Sequence, residues 1–223
     1  MGSKKAAISW SGGKDSCAAV HRARHDFDIV AAVTMFNEDG SRSRSHGLRP
    51  EVLSAQVERM GLQHLTEQCA WSSYDEAFSR ALAAAAGLGV THVIFGDILF
   101  EEHRAWATRL AEGQDLTAVE PLWGHSTTDL YRDFLSLGGR ARIVTIRSSE
   151  LDESYLGREL DEELLPELLA RGVDPCGERG EYHTVVIDCP AFSQPLRLRA
   201  CGRGGQSGCI AEDLVIENVE NGV

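Results

Sequence analysis

The chain has 223 residues, 43% hydrophobic and 25% charged, which suits one large soluble domain or a nucleotide-binding domain with a smaller companion. No apolar run approaches the roughly 18 residues a bilayer span needs, and no apolar signal core follows Met1-Gly2-Ser3-Lys4-Lys5, so a cytoplasmic location is expected. Acidic residues outnumber basic ones 34 to 22, a net charge of −12, which argues against a large nucleic-acid footprint.

Ala6 to Trp10 is a short apolar run ending in a glycine turn, which predicts a first strand. Lys14 to His25 has helical spacing, with Cys17, Val20 and Ala23 on one face. Ile29 to Phe36 reads as a strongly apolar strand and Asn37 to Arg49 as a polar loop. Pro50 suits the first turn of a helix to about Met60. A strand over Gln63–Gln68 follows, and Ser73-Tyr74-Asp75-Glu76 has the pattern of a capping box opening an alanine-rich helix to Ala86. His92 to Phe95 is the next strand, Phe100 to Ala111 a helix, and Ser126 or Thr127 caps a helix through Leu137. A further strand covers Ala141 to Ile146. This alternation predicts a parallel sheet with helices on both faces. Beyond Arg147 the pattern becomes α+β: a helix at Leu160–Leu169, then strands at Tyr182–Ile187, Leu196–Arg199 and Ile210–Glu217. The glycine-rich run Gly202–Gly208 reads as a turn between strands. The six cysteines form no C-x-x-C pair, so reduced thiols are expected, most of them buried and inert.

The strongest chemical signal is Ser9-Trp10-Ser11-Gly12-Gly13-Lys14-Asp15-Ser16, between the first strand and the first helix. Ligands of open α/β sheets bind beyond the carboxyl ends of the strands. Gly12 and Gly13 let the backbone approach an anion, the helix start presents free N–H groups, and Ser11 and Ser16 add hydroxyls. Lys14, the only lysine after Lys5, adds a compact positive charge. The loop is not a Walker A motif, because Ile8 and Asp15 stand where that motif needs Gly and Ser or Thr. A carboxylate beside phosphate calls for a bridging cation, so Asp15 points to Mg²⁺ with a polyphosphate.

Ser11-Gly12-Gly13-Lys14-Asp15-Ser16 resembles the PP-loop of the N-type ATP-pyrophosphatases. Further along stand Gly96-Asp97, Arg104, Pro121-Leu122-Trp123, Leu156-Gly157 and the block Asp174-Pro175-Cys176-Gly177-Glu178-Arg179-Gly180-Glu181-Tyr182-His183-Thr184. This ordered set, from about Lys5 to Phe192, looks like the diphthine–ammonia ligase family. The resemblance implies a Rossmann-like parallel sheet of the HUP type over residues 1–116, the PP-loop ATP-pyrophosphatase domain. Residues 117–223 become a smaller α+β substrate-binding region.

The resemblance also implies a reaction. ATP adenylylates a substrate carboxylate, pyrophosphate leaves, and free ammonia attacks to give an amide and AMP. The carboxylate in the named family is diphthine on elongation factor 2, a modification of archaea and eukaryotes. Lys14, Asp15, Glu178 and Glu181 become the catalytic candidates, with Asp15 also the metal ligand. Ser11, Gly12, Gly13, Lys14, Asp15, Ser16, Met35 and Gly96 become the ATP-binding candidates. Asp97, Arg104, Tyr182 and His183 become the substrate-binding candidates, and a homodimer stays open.

Several assignments have plainer alternatives. Asp97 binds metal or caps the following helix; Arg104 meets phosphate, substrate or a surface carboxylate; Glu178 and Glu181 are functional acids or solvated turn residues. Cys176, Glu178, His183 and Cys189 match no standard zinc spacing. Arg179 and His183 stand where diphthine-acting members carry Gly and Glu, which weakens the match to a quaternary ammonium. The rival functions are a PP-loop tRNA-modifying enzyme, which the acidic charge disfavours, and a non-catalytic ATP-binding regulatory module.

Overall fold

The computed structural model describes residues 3–206 and 208–217. The first half of the chain supplies strands β1 (Lys4–Ser9), β2 (Phe27–Phe36), β3 (Gln63–Gln68), β4 (His92–Ile94) and β5 (Thr117–Val119). Helices α1 (Lys14–Ala23), α2 (Pro50–Arg59), α3 (Tyr74–Gly87) and α4 (Glu101–Glu112) lie between them. The five strands pair in parallel in the order β3-β2-β1-β4-β5. Ala6, Ala7 and Ile8 of the central strand are fully buried, as a strand covered on both faces requires. Their side chains alternate: Ala6 and Ile8 join one core cluster with Cys17, Val20 and Leu53, whereas Ala7 joins the other with Phe78, Leu82 and Leu110. Helices α1 and α2 therefore cover one face and α3 and α4 the other, the expected α/β layering.

The chain runs outward from β1 through β2 to β3, then returns to the other side of β1 for β4 and β5. The order reverses between β1 and β4, so the crevice outside their carboxyl ends is the topological switch point where such sheets bind ligands. The Ser9–Ser16 loop and Gly96-Asp97 both lie there.

The second half supplies α5 (Thr127–Ser136), β6 (Arg140–Arg147), α6 (Leu164–Ala170), β7 (Tyr182–Asp188), β8 (Leu198–Gln206) and β9 (Cys209–Ile216). Its four strands form a separate antiparallel sheet in the order β7-β6-β9-β8. Leu130, Phe134, Ile143 and Val186 share the core cluster of α1 and α2, so this region packs on that face of the parallel sheet.

Four expectations need correction. The strand at Ala141–Ile146 continues the alternation, yet β6 pairs with β7 and β9 in the antiparallel sheet. Alternation identifies elements but not pairing partners. The Gly202–Gly208 run is largely strand: Gly202, Gly204 and Gly205 pair with Asp213, Ala211 and Ile210, and Ser207 lies outside the described residues. Cross-strand pairing there outweighs the weak β-propensity of glycine. Ser73 makes no capping hydrogen bond to α3; a short 3₁₀ turn, Trp71–Ser73, precedes the helix, and the Ser73 hydroxyl donates to the Ala70 carbonyl. The helix expected over Leu160–Leu169 begins at Leu164. The short strand β5 carries no sequence signal of its own.

One side chain ties the two halves together. Gln56 of α2 is fully buried. Its Oε1 accepts from Trp10 Nε1 at 3.0 Å, and its Nε2 donates to the carbonyls of Gly12 at 3.1 Å and Val186 at 2.7 Å. Gln56→Leu keeps much of the volume but leaves Trp10 and Val186 without these partners. Each orphaned group costs about 1–3 kcal/mol. We expect a clear fall in urea midpoint for Gln56→Leu; an unchanged midpoint would show that the amide bridge does not stabilise the fold.

Candidate active site

The loop after β1 is shaped by two glycines under different constraints. Gly12 has φ +84, a conformation costly for L-residues, and an added Cβ would meet Leu53 Cδ2 at 2.7 Å. Gly13 caps α1 in extended backbone, φ −96, so its constraint is space: a Cβ would lie 2.2 Å from His46 Cε1. The helix start leaves main-chain donors without intrahelical partners, as every α-helix does. Gly96 lies flush against this turn, because a Cβ there would sit 3.0 Å from the Asp15 carbonyl carbon and the Ser16 nitrogen. Ser16 is buried and donates to the Gly13 carbonyl at 2.9 Å; Ser11 donates to the Ser16 hydroxyl at 3.2 Å and accepts from Gly13 N at 3.3 Å. Met35, at the end of β2, lines a small hollow with Ser11, Thr34 and Tyr74. The expected phosphate- and nucleotide-binding residues are thus brought together around one bend.

Lys14 is buried, and the second region encloses it. Its Nζ lies 2.9 Å from Asp15 Oδ2, donates to the Cys176 carbonyl, and stands 5.3 Å from the centre of the Tyr182 ring. Its main-chain N–H donates to Thr184 Oγ1 at 3.1 Å. Burial alone would lower the Lys14 pKa, but Asp15, Tyr182 and Cys176 outweigh it and the net shift is upward. The ammonium therefore stays charged. The Cys176 thiol, by contrast, is pushed up by burial, as an inert core thiol would be.

The expected acids separate into different environments. Glu181 is buried, its Oε1 accepting from Asp174 N at 3.1 Å and its Oε2 from Arg179 N at 2.9 Å. It ties the 174–181 turn together from inside. Glu178 is half-buried, and burial together with Asp15 raises its pKa to about 8. Asp97 is raised as well, mainly by burial, and its Oδ1 lies 3.4 Å from His103 Nδ1. It does not cap α4, whose N-cap is Phe100. The Asp15 charge helps raise both Asp97 and Glu178, and Asp97 also raises Glu178, so the three acids stand close to one another beside the loop. Arg104 stands apart: its Nε lies 3.0 Å from Glu120 Oε2, and its guanidinium covers the Trp123 ring at 4.9 Å.

Among the described residues no three His, Cys, Asp or Glu side chains form a metal-ligand cluster. A Mg²⁺ held jointly with phosphate needs only one or two carboxylates. Asp15, partly exposed beside the loop, fits that requirement.

Sequence reasoning missed two groups. His46 lies in the polar loop after β2. It is half-buried against the Gly13 backbone, its ring Nδ1 2.7 Å from the Thr184 carbonyl. That carbonyl only accepts, so Nδ1 carries the proton. Its ring lies 4.7 Å from that of His183. Burial lowers His46 to about 4 and His183 to about 3. Gln56 is the other, and its place in the middle of a helix gives no local sign of its three partners. Tyr182 is buried under Lys14, with its hydroxyl donating to the Pro175 carbonyl. His183 opens onto a cleft of about 800 Å³ between the loop after β2 and the antiparallel sheet.

The chain matches two family models, the diphthamide synthase N-terminal domain over residues 4–117 and the diphthamide synthase C-terminal domain over residues 126–206. It is 33% identical to human diphthine–ammonia ligase over 111 residues, 48% of this chain and 42% of that protein. The fission yeast (Schizosaccharomyces pombe) diphthine–ammonia ligase is 26% identical over 211 residues, 84% of this chain and 35% of that protein. The mouse diphthine–ammonia ligase is 23% identical over 212 residues, 83% of this chain and 79% of that protein. The matched stretches thus span about two fifths of the human relative and about a third of the yeast one. A solved structure from Methanocaldococcus jannaschii, described as a predicted subunit of tRNA methyltransferase, superposes with a TM-score of 0.44 at 16% identity, covering 83% of this chain and 98% of that one. Among the described residues no helix is long and apolar enough to cross a membrane.

Proposed function

The chain belongs to the diphthamide synthase family, and we propose that it is an ATP-dependent ligase joining ammonia to a substrate carboxylate. In this reading the carboxylate oxygen attacks the α-phosphorus of ATP and pyrophosphate leaves. Ammonia then attacks the acyl carbon, a proton is lost, and the amide and AMP depart. The observation that carries the reading is the bend at the switch point, with a buried, charged Lys14 and a flanking carboxylate.

Each residue then has a role. Ser11, Gly12, Gly13 and Ser16 wrap the leaving pyrophosphate, and Lys14 stabilises the charge that grows on it. Mg²⁺, held through Asp15, would supply Lewis-acid neutralisation of the phosphate oxygens. Met35 and Gly96 border the nucleoside side. Asp97 and His183 border the substrate side, Tyr182, expected to bind substrate, instead packs beneath Lys14, and Glu181 keeps the 174–181 turn in place. Arg104, engaged by Glu120 and Trp123, would act through the wall it braces. Glu178 in its ionised form accepts the proton lost by the attacking nitrogen, a form that grows as pH rises toward its pKa of about 8.

Incubation with ATP, Mg²⁺, ammonium and a candidate carboxylate tests the bond that breaks. AMP and pyrophosphate are expected; ADP and phosphate would overturn the reading. Glu178 also gives a pH signature. Its folded pKa lies above the ordinary 4.5, so between pH 4.5 and about 8 the folded state holds more protons than the unfolded state. Its contribution to stability is present below that window and is lost as pH rises through it. Glu178→Gln should flatten this part of the stability–pH curve and slow amide formation. An unchanged curve would move the raised pKa to another group.

A further inference from the structure

We propose that the crevice between the loops following β4 and β5 is an ammonium-binding site, formed by Asp97 and the free carboxylate oxygen of Glu120. The inference rests on the ligase reading only for what ammonium does there; the site itself rests on an unmatched buried acid.

Phe95 N donates to the Val119 carbonyl at 2.9 Å, and Gly124 N donates to the Ile98 carbonyl at 2.9 Å. These bonds hold residues 95–98 alongside 119–124, just beyond the carboxyl ends of the paired strands β4 and β5. Asp97 lies on one loop and Glu120 on the other. Gly96, packed against Asp15 and Ser16, sets the first of these loops beside the phosphate bend. Because β1, β4 and β5 are neighbours in the sheet, their carboxyl ends present Asp15, Asp97 and Glu120 in that order.

Glu120 is the unusual member. Its side chain is only 7% exposed, and Oε2 lies 3.0 Å from Arg104 Nε. Oε1 is buried and has no hydrogen-bond partner in the chain. A buried carboxylate oxygen without a donor is strongly disfavoured. Burial raises the Glu120 pKa, Arg104 opposes the rise, and the Asp97 charge adds to it, so the orphan oxygen stands near a second acid. Exposed His103 reaches Asp97 Oδ1 at 3.4 Å, but neither it nor Arg104 supplies a donor to Glu120 Oε1.

The spacing of the acids suits ammonium better than a divalent ion. Divalent metal–oxygen bonds of about 2.0–2.6 Å draw several oxygens tightly together. Among the described residues no three His, Cys, Asp or Glu side chains converge in that way. Ammonium bonds at about 2.7–2.9 Å through directed N–H groups, so two carboxylates on facing loops can hold it. Glu178 also feels the Asp97 charge, which puts ammonium at this point beside the acid proposed to accept a proton from the nitrogen.

The test is thermal unfolding of the full chain at neutral pH, without ATP, in ammonium, potassium and tetramethylammonium chloride at matched ionic strength. Ammonium should give a saturable rise in melting temperature of about 3–5 °C once it exceeds its Kd by about tenfold. Tetramethylammonium carries the charge but no N–H group and should give none. Glu120→Gln keeps an oxygen for Arg104 and should raise the ammonium midpoint at least about tenfold, the scale of losing one hydrogen bond to a charged group. Asp97→Asn should do the same, and decides alone if Glu120→Gln does not fold. An equal rise in potassium or tetramethylammonium overturns the proposal. So does the lack of any rise in ammonium, or a midpoint unchanged in a folded variant. AMP formation by the wild-type chain is measured separately. Its absence beside an intact ammonium response would sink the ligase assignment and leave the site standing, whereas AMP formation without that response would sink the site alone.

Discussion

Lys14→Ala should lower AMP formation by at least about 10²-fold, the scale of removing one positioned donor from a site that stabilises developing charge. The ammonium is buried, held by Asp15, the Cys176 carbonyl and the Tyr182 ring. Removing it takes away the charge and leaves Asp15 without its cation beside the proposed pyrophosphate site. Lys14→Arg should not rescue the rate, because a planar guanidinium cannot occupy a pocket shaped for a point charge. Thermal unfolding separates chemistry from stability, since Lys14 also bridges the two halves of the chain. A Lys14→Ala protein that stays folded and still releases AMP at the wild-type rate would end the assignment of this bend as the pyrophosphate site.

Gly13→Ala is expected to damage both stability and nucleotide binding through a single methyl group. The backbone at Gly13 is ordinary for any residue, so the effect is steric. The added Cβ would stand 2.2 Å from His46 Cε1 and 3.2 Å from the Thr184 carbonyl oxygen. The imidazole cannot swing aside cheaply, because Thr184 holds its Nδ1 and His183 packs on its ring. Overpacking of this kind costs about 1–3 kcal/mol, and the shift falls on the loop proposed to hold phosphate. We expect a lowered melting temperature together with loss of ATP binding by calorimetry. The double variant Gly13→Ala/His46→Ala should recover much of the stability, since contacting residues are non-additive. Additive losses would mean that the two residues do not share the space.

Both predictions depend on contacts far apart in the chain, and that marks the limit of the sequence reading. The parallel sheet was legible because central strands buried on two faces read as apolar runs, and their helices carry amphipathic spacing. The bend was legible because glycine, lysine and serine at fixed offsets after a strand have few other uses. Glu181 illustrates the opposite case. An acid between Gly180 and Tyr182 looks available for proton transfer, yet both its oxygens are taken by main-chain amides.

The order of residues by itself determined the strand–bend–helix unit, the position of Lys14 within it, and the change from α/β to α+β beyond Arg147, because these follow from local periodicity and local stereochemistry. The tertiary structure alone decided that β6 leaves the parallel sheet, that Gln56 joins three segments, and that His46 lies against Gly13. Hydrogen-bond partners and burial are properties of chain segments brought together from a distance, and no local pattern encodes which segment will arrive.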